Sequence, residues 1–143
     1  MCGIAGLIND ENIDKNYLNK IISNLYNRGP DNQDFWLDNK RKFCFIHTRL
    51  SILDLSENGN QPMRSQSENI LITFNGEIYN HLEIRDKIKK KINYEWRSNS
   101  DTETLLSSFE IFGLEKNFEL IEGMFAFALI DQFSKKLYLS RDI

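Results

Sequence analysis

Two cysteines and two histidines are all that this 143-residue chain contains. Neither number supports a disulfide framework or a Cys-His zinc site. The thiols of Cys2 and Cys44 are therefore expected to be free, in a reducing cytoplasm, and no metal site is expected. Basic residues are not in excess: 18 Lys and Arg face 21 Asp and Glu, a net charge of −3, which argues against a nucleic-acid surface. Long apolar runs are missing too, and no segment approaches the roughly 20 residues of a membrane span. The first apolar stretch is too short for a signal-peptide core and lacks a basic lead-in. What is present is 41% hydrophobic and 12% aromatic residues, enough for one globular domain over residues 1–143 with a real core.

Hydrophobic periodicity divides the chain into strands and helices in mixed order. Cys2–Ile8 reads as a strand, and Asp14–Tyr26 as a helix capped by Asp14 with Tyr17, Leu18, Ile21, Ile22 and Leu25 along one stripe. Asp34–Leu37 and Lys42–Thr48 read as paired strands. Ser56–Ser67, rich in Ser, Asn, Gly and Gln, reads as a surface loop, and Ile70–Phe74 as a strand. Asn80–Lys91 reads as a helix capped by Asn80, and Asp101–Phe112 as a helix stopped by Gly113. Met124–Ile130 and Lys136–Ser140 read as the last strands. Phe43–Ile46, Ile70–Phe74 and Met124–Ile130 are apolar on both alternating faces, so both faces must be covered. Two sheets packed together with helices outside satisfy this. The expected fold is α+β, a four-layer αββα sandwich.

The chain opens Met1-Cys2-Gly3-Ile4-Ala5-Gly6. Removal of Met1 leaves one residue carrying both a thiol and a free α-amine. That amine has a reference pKa of about 7.7–8.0 and can serve as the thiol's own general base. The plainer reading is a small buried residue opening a strand. Asn75-Gly76 supplies a side-chain amide and a backbone N–H that suit an oxyanion, but it also suits a hairpin turn. Arg49 and Asp101 are the cation and anion that a free amino acid needs for its carboxylate and ammonium. Their plainer readings are a salt bridge from Arg49 to Asp54 or Asp31, and a first-turn acid or N-cap at Asp101.

Several segments occur in order: Arg28-Gly29-Pro30-Asp31, His47-Thr48-Arg49-Leu50-Ser51-Ile52-Leu53-Asp54, Gly59-Asn60-Gln61-Pro62-Met63, Phe74-Asn75-Gly76-Glu77-Ile78-Tyr79-Asn80, Ser100-Asp101-Thr102-Glu103 and Gly123-Met124-Phe125-Ala126-Phe127. With the opening Met-Cys-Gly, this set closely resembles the class II glutamine amidotransferase domain. Within that group it is most similar to the N-terminal part of glutamine-hydrolysing asparagine synthetases. The resemblance implies an Ntn-hydrolase fold and hydrolysis of glutamine to glutamate and ammonia. It implies Cys2 as nucleophile, with Asn75 and Gly76 as oxyanion hole. It implies Arg49 on the substrate α-carboxylate, Asp101 on the α-ammonium with Glu77 nearby, and backbone contacts from Leu50 and Ile52.

The resemblance also implies that the sandwich is incomplete at its C-terminus. Further strands and a synthetase domain follow in the family, and that domain binds ATP and Mg and receives the ammonia. No cofactor is expected in this chain. A homodimer of the full-length enzyme is a further implication. Two alternatives stay open here: a non-catalytic or partner-dependent fragment, and an amidotransferase whose acceptor is a sugar or sugar phosphate.

Overall fold

The computed structural model describes every residue from Met1 to Ile143. Strand β1 (Gly3–Ile8) is followed by helix α1 (Lys15–Leu25) and strands β2 (Asn32–Leu37) and β3 (Phe43–Arg49). The chain continues through a two-residue strand β4 (Met63–Arg64), a long strand β5 (Ile70–Ile78) and helices α2 (His81–Lys91), α3 (Asp101–Phe112) and α4 (Leu114–Leu120). Strands β6 (Gly123–Asp131) and β7 (Lys136–Arg141) end it. One antiparallel sheet runs β1-β3-β2 and the other β4-β5-β6-β7. No helix is long and apolar enough to cross a membrane.

Alternation along the strands builds the layers. Phe45 of β3 is buried between the sheets with Leu71 of β5 and Ala128 of β6. Cys44 and Ile46, on the other face of β3, pack with Leu18 of α1. Ile72, Phe74 and Ile78 of β5 turn outward onto Ile84 and Ile88 of α2 and Leu105, Leu106 and Phe109 of α3. Each such fully buried side chain contributes roughly 1.5–3 kcal/mol. The order of layers is helix, sheet, sheet, helix, the αββα sandwich that the doubly apolar strands require.

Local signals explain most of the ends. Asp14 caps α1, its carboxylate accepting the Asn16 N–H at 3.0 Å. Ser100 caps α3, its hydroxyl accepting the Glu103 N–H at 3.2 Å, so Asp101 is the first helical residue rather than the cap. Three expectations need correction. Asn80 makes no capping hydrogen bond to α2; its side chain instead donates to the Leu120 carbonyl and accepts from the Glu122 N–H, stitching the ends of α2 and α4 together. Strand β5 does not stop at Phe74 but runs on to Ile78, because Asn75 and Gly76 pair with Ala126 and Phe125 of β6. Gly76 is needed for that pairing: a Cβ there would lie 2.3 Å from the Met124 carbonyl oxygen. Finally, residues 56–67 are not a simple surface loop, since Gly59, Gln61, Met63 and Ser65 are buried.

Candidate active site

All eight residues singled out from the sequence line one cavity: Cys2, Arg49, Leu50, Ile52, Asn75, Gly76, Glu77 and Asp101. They come from the residue before β1, the end of β3 and the loop after it, the later half of β5 and the first turn of α3. The two sheets and the outer helix layer therefore meet at this point.

Cys2 is held from two sides. Its sulfur accepts the Leu50 N–H at 3.4 Å and lies 3.7 Å from the Leu50 carbonyl oxygen. Its own carbonyl accepts from Arg28 Nε at 3.0 Å. Arg28 belongs to the Arg28–Asp31 turn, which is itself bonded to β3: the Asp31 N–H donates to the Arg49 carbonyl at 3.0 Å, and the Asp31 carboxylate accepts the Ser51 N–H at 2.7 Å. Asp31 thus fixes backbone and makes no ion pair with Arg49.

The edge of β5 forms the cavity floor. Strand β4 pairs only with Leu71 and Ile72, so beyond Phe74 the β5 edge has no partner strand. In an antiparallel strand the N–H groups of alternate residues point to the same side. The Phe74 N–H on that edge donates to Gln61 Oε1 at 2.7 Å, and the Ile78 N–H donates to Asp101 Oδ2 at 2.9 Å. The same alternation puts the Gly76 N–H between them, facing the cavity. Asn75 Oδ1 is buried without a hydrogen-bond partner, while its amide nitrogen donates to no protein group and remains accessible at the cavity wall. Two donors, one from a side chain and one from the backbone, are therefore adjacent and unspent.

The charged ends are set differently. Arg49 is buried at 7% exposure, and its guanidinium is held by protein oxygens rather than by a carboxylate. Nη1 donates to the Ser56 carbonyl at 2.7 Å and to Asn60 Oδ1 at 2.8 Å, and Nη2 donates to the Asp54 backbone carbonyl. Of five guanidinium N–H donors, three are engaged and two remain. The salt-bridge reading of Arg49 does not hold, since neither Asp54 nor Asp31 offers it a carboxylate oxygen. Asp101 is likewise buried. Burial pushes its carboxyl above the usual carboxylate value, while the Ile78 N–H and the nearby His81 oppose the rise; Glu77 adds to it as a like charge. Two acids facing one space suit a cationic group there.

Sequence reasoning missed two contributors, Gln61 and Asp54. Gln61 bridges layers, accepting from Phe74 and donating to Thr102 Oγ1 at 3.2 Å. Asp54 receives two backbone N–H groups, from Ser56 at 2.7 Å and Asn99 at 2.6 Å, and the Ser56 hydroxyl, followed by these backbone bonds, holds its carboxyl below the ordinary range. His47 is fully buried between the sheets, with Nε2 3.2 Å from the Phe74 carbonyl oxygen and Nδ1 unpartnered. Burial lowers its pKa to about 4, so it is a neutral donor beside the site rather than a base. Gln61 and Asp54 lie in the quoted motif segments, but only the fold reveals whom they touch. Cys44 is buried against α1 with its thiol pushed up to about 12, and takes no part.

Facing sheets between helices are the αββα fold of the N-terminal-nucleophile hydrolases. The chain belongs to the glutamine amidotransferase domain family, whose model matches residues 1–143. Among relatives, 99% of the chain aligns at 37% identity with asparagine synthetase [glutamine-hydrolyzing] 1 of Bacillus subtilis and at 33% identity with asparagine synthetase [glutamine-hydrolyzing] 2 of Arabidopsis thaliana. The chain spans less than a third of the curated relatives it matches, 22% of the Bacillus protein and 24% of the Arabidopsis one. In fold it is similar to glutamine phosphoribosylpyrophosphate amidotransferase from B. subtilis, with a TM-score of 0.58 and 18% identity, over 72% of this chain and 24% of that one.

Proposed function

We propose that this chain hydrolyses glutamine to glutamate and ammonia through a thioester on Cys2. The observation that carries the reading is the convergence on one cavity of the Cys2 sulfur, the unspent Asn75 and Gly76 donors, the Arg49 guanidinium and the Asp101 carboxylate. Arg49 takes the substrate α-carboxylate with its two remaining N–H groups, and Asp101, with Glu77, takes the α-ammonium. Leu50 and Ile52 line the space between. The side-chain amide is thereby delivered to Cys2.

Once Met1 is removed, the Cys2 α-amine takes the thiol proton as sulfur attacks the amide carbon. Charge builds on the carbonyl oxygen, where Asn75 Nδ2 and the Gly76 N–H donate; each such donor is worth roughly 3–4 kcal/mol in acyl transfer. Collapse of the intermediate breaks the C–N bond, and the α-amine returns its proton to the leaving ammonia. Water then cleaves the thioester, giving glutamate and restoring the thiol.

We assign the ammonia to ATP-dependent asparagine synthesis, with ATP and Mg bound by a synthetase part outside this chain, in the cytoplasm. The names of the aligned relatives and two free thiols support this assignment. The test is glutamate and ammonia release by the chain and by Cys2→Ala. Turnover in the first and none in the second is expected; equal rates refute the reading.

A further inference from the structure

The structure assigns to Asp54 a positioning role: it is the strut that fixes the spacing between Arg49 and Asp101, and so selects ligands that carry an ammonium and a carboxylate on the same carbon. The inference rests on the amino-acid-binding reading of the cavity given above.

An α-amino acid presents its two charges at a fixed, short separation. The groups that receive them must hold a matching separation, yet Arg49 ends a strand of one sheet and Asp101 starts a helix outside the other. Asp54 bridges them. Its backbone carbonyl accepts from Arg49 Nη2. One carboxylate oxygen accepts the N–H of Ser56, whose carbonyl in turn accepts from Arg49 Nη1 at 2.7 Å. The other carboxylate oxygen accepts the Asn99 N–H at 2.6 Å, two residues before Asp101. The far end is anchored as well. Arg85 Nη2 donates to the carbonyls flanking Asn99, those of Ser98 at 3.0 Å and Ser100 at 2.9 Å, and its guanidinium lies 4.0 Å from the Trp96 ring centroid. Ser100 then caps the helix that begins with Asp101. One buried carboxylate thus ties the turn behind the guanidinium to the turn before the acid, each of its oxygens accepting a backbone N–H.

Asp54→Asn keeps one acceptor and turns an amide donor against the other N–H. The readout is binding, measured by calorimetry on the chain, of glutamine and of two one-ended amides: 4-carbamoylbutanoic acid, which lacks the ammonium, and 4-aminobutanamide, which lacks the carboxylate. In Asp54→Asn the preference for glutamine over either one-ended amide is expected to fall about tenfold, the effect of one misplaced charge-assisted hydrogen bond. Equal weakening for all three ligands would mean a merely structural role and overturns the proposal, as does an unchanged preference. If Asp54→Asn does not fold, Asp54→Glu keeps both acceptors but lengthens the strut, and the preference must fall in that variant. A parallel hydrolysis assay separates the two readings. Glutamine bound with the preference but not hydrolysed removes the catalytic reading and keeps the strut, whereas hydrolysis without any preference removes the strut alone. A chain that does not bind glutamine overturns the strut.

Discussion

Leu50 aims its backbone N–H at the Cys2 sulfur from 3.4 Å, and Leu50 directly follows Arg49. The proposed anchor for the substrate carboxylate and the group that holds the nucleophile are therefore neighbours on one strand end. A shift of β3 moves both together, which keeps their separation constant.

The first prediction concerns Met1, which is 59% exposed and open to an aminopeptidase. With Met1 attached, the Cys2 nitrogen is an amide and cannot accept the thiol proton. Glutaminase activity should scale with the fraction of chain lacking Met1, read by intact-mass spectrometry. Full activity from Met1-retaining chain would refute the self-base mechanism. Cys2→Ala should abolish turnover and retain glutamine binding.

Asn75→Ala removes a donor needed only when charge develops on the carbonyl oxygen. It should lower kcat by about 10²–10³-fold and leave KM nearly unchanged. A loss carried mainly by KM would move Asn75 from the oxyanion to the ground-state contacts.

Arg49→Lys keeps the charge but cannot serve three protein oxygens and a carboxylate together. Glutamine binding should weaken by about 1–3 kcal/mol. Gly59→Ala should act in the same direction, because a Cβ at that position lies 2.2 Å from Arg49 Nη2. Calorimetry on both variants checks this, and Gly59→Ala with unaltered affinity would show that the guanidinium position is not critical.

His47 gives a pH prediction. Its pKa falls from 6.5 to about 4 on folding because the ring is buried. Between those values the unfolded chain binds the proton and the folded chain does not, so stability is lost as pH falls from 6.5 towards 4. Relative to His47→Gln, the native chain should lose about 3 kcal/mol across this window and change little above it. Asp101, whose value is raised, contributes with the opposite sign, but it is common to both proteins and cancels. Denaturant unfolding at pH 7 and pH 4 measures the difference; equal losses in both proteins would mean that His47 is not the titrating group.

The sandwich was legible because three strands are apolar on both faces, a pattern with few solutions. Asp14 was legible as a helix start because capping is local, whereas the cap of α3 falls on Ser100, one residue before the Asp101 that the sequence offered. Asn75-Gly76 was ambiguous: it carries a strong turn signal, and only pairing with Ala126 and Phe125, some 50 residues on, keeps it extended. Helix α4 was missed because Gly113 stops α3 and starts α4 at once, leaving too short a pattern to detect. Arg49, Asn75 and Asp101 could be named as chemistry, but their partners could not. The oxygens that orient Arg49 are mostly backbone carbonyls of the loop after β3, and backbone carbonyls leave no mark in a sequence.

The half-paired edge of β5 carries a further consequence. An open strand edge is ordinarily a template on which another extended chain can add itself. Here Gln61 and Asp101 fill the N–H positions on either side of Gly76, and His47 reaches the Phe74 carbonyl from the facing sheet. What is left is a slot one residue wide. A foreign strand needs several consecutive rungs and finds only one, whereas a single carbonyl oxygen needs only one. The side chains that flank the proposed oxyanion site are thus also what keeps this edge from recruiting other chains, so Gln61→Ala should do more than disturb a cavity: it should widen the slot towards a sticky edge.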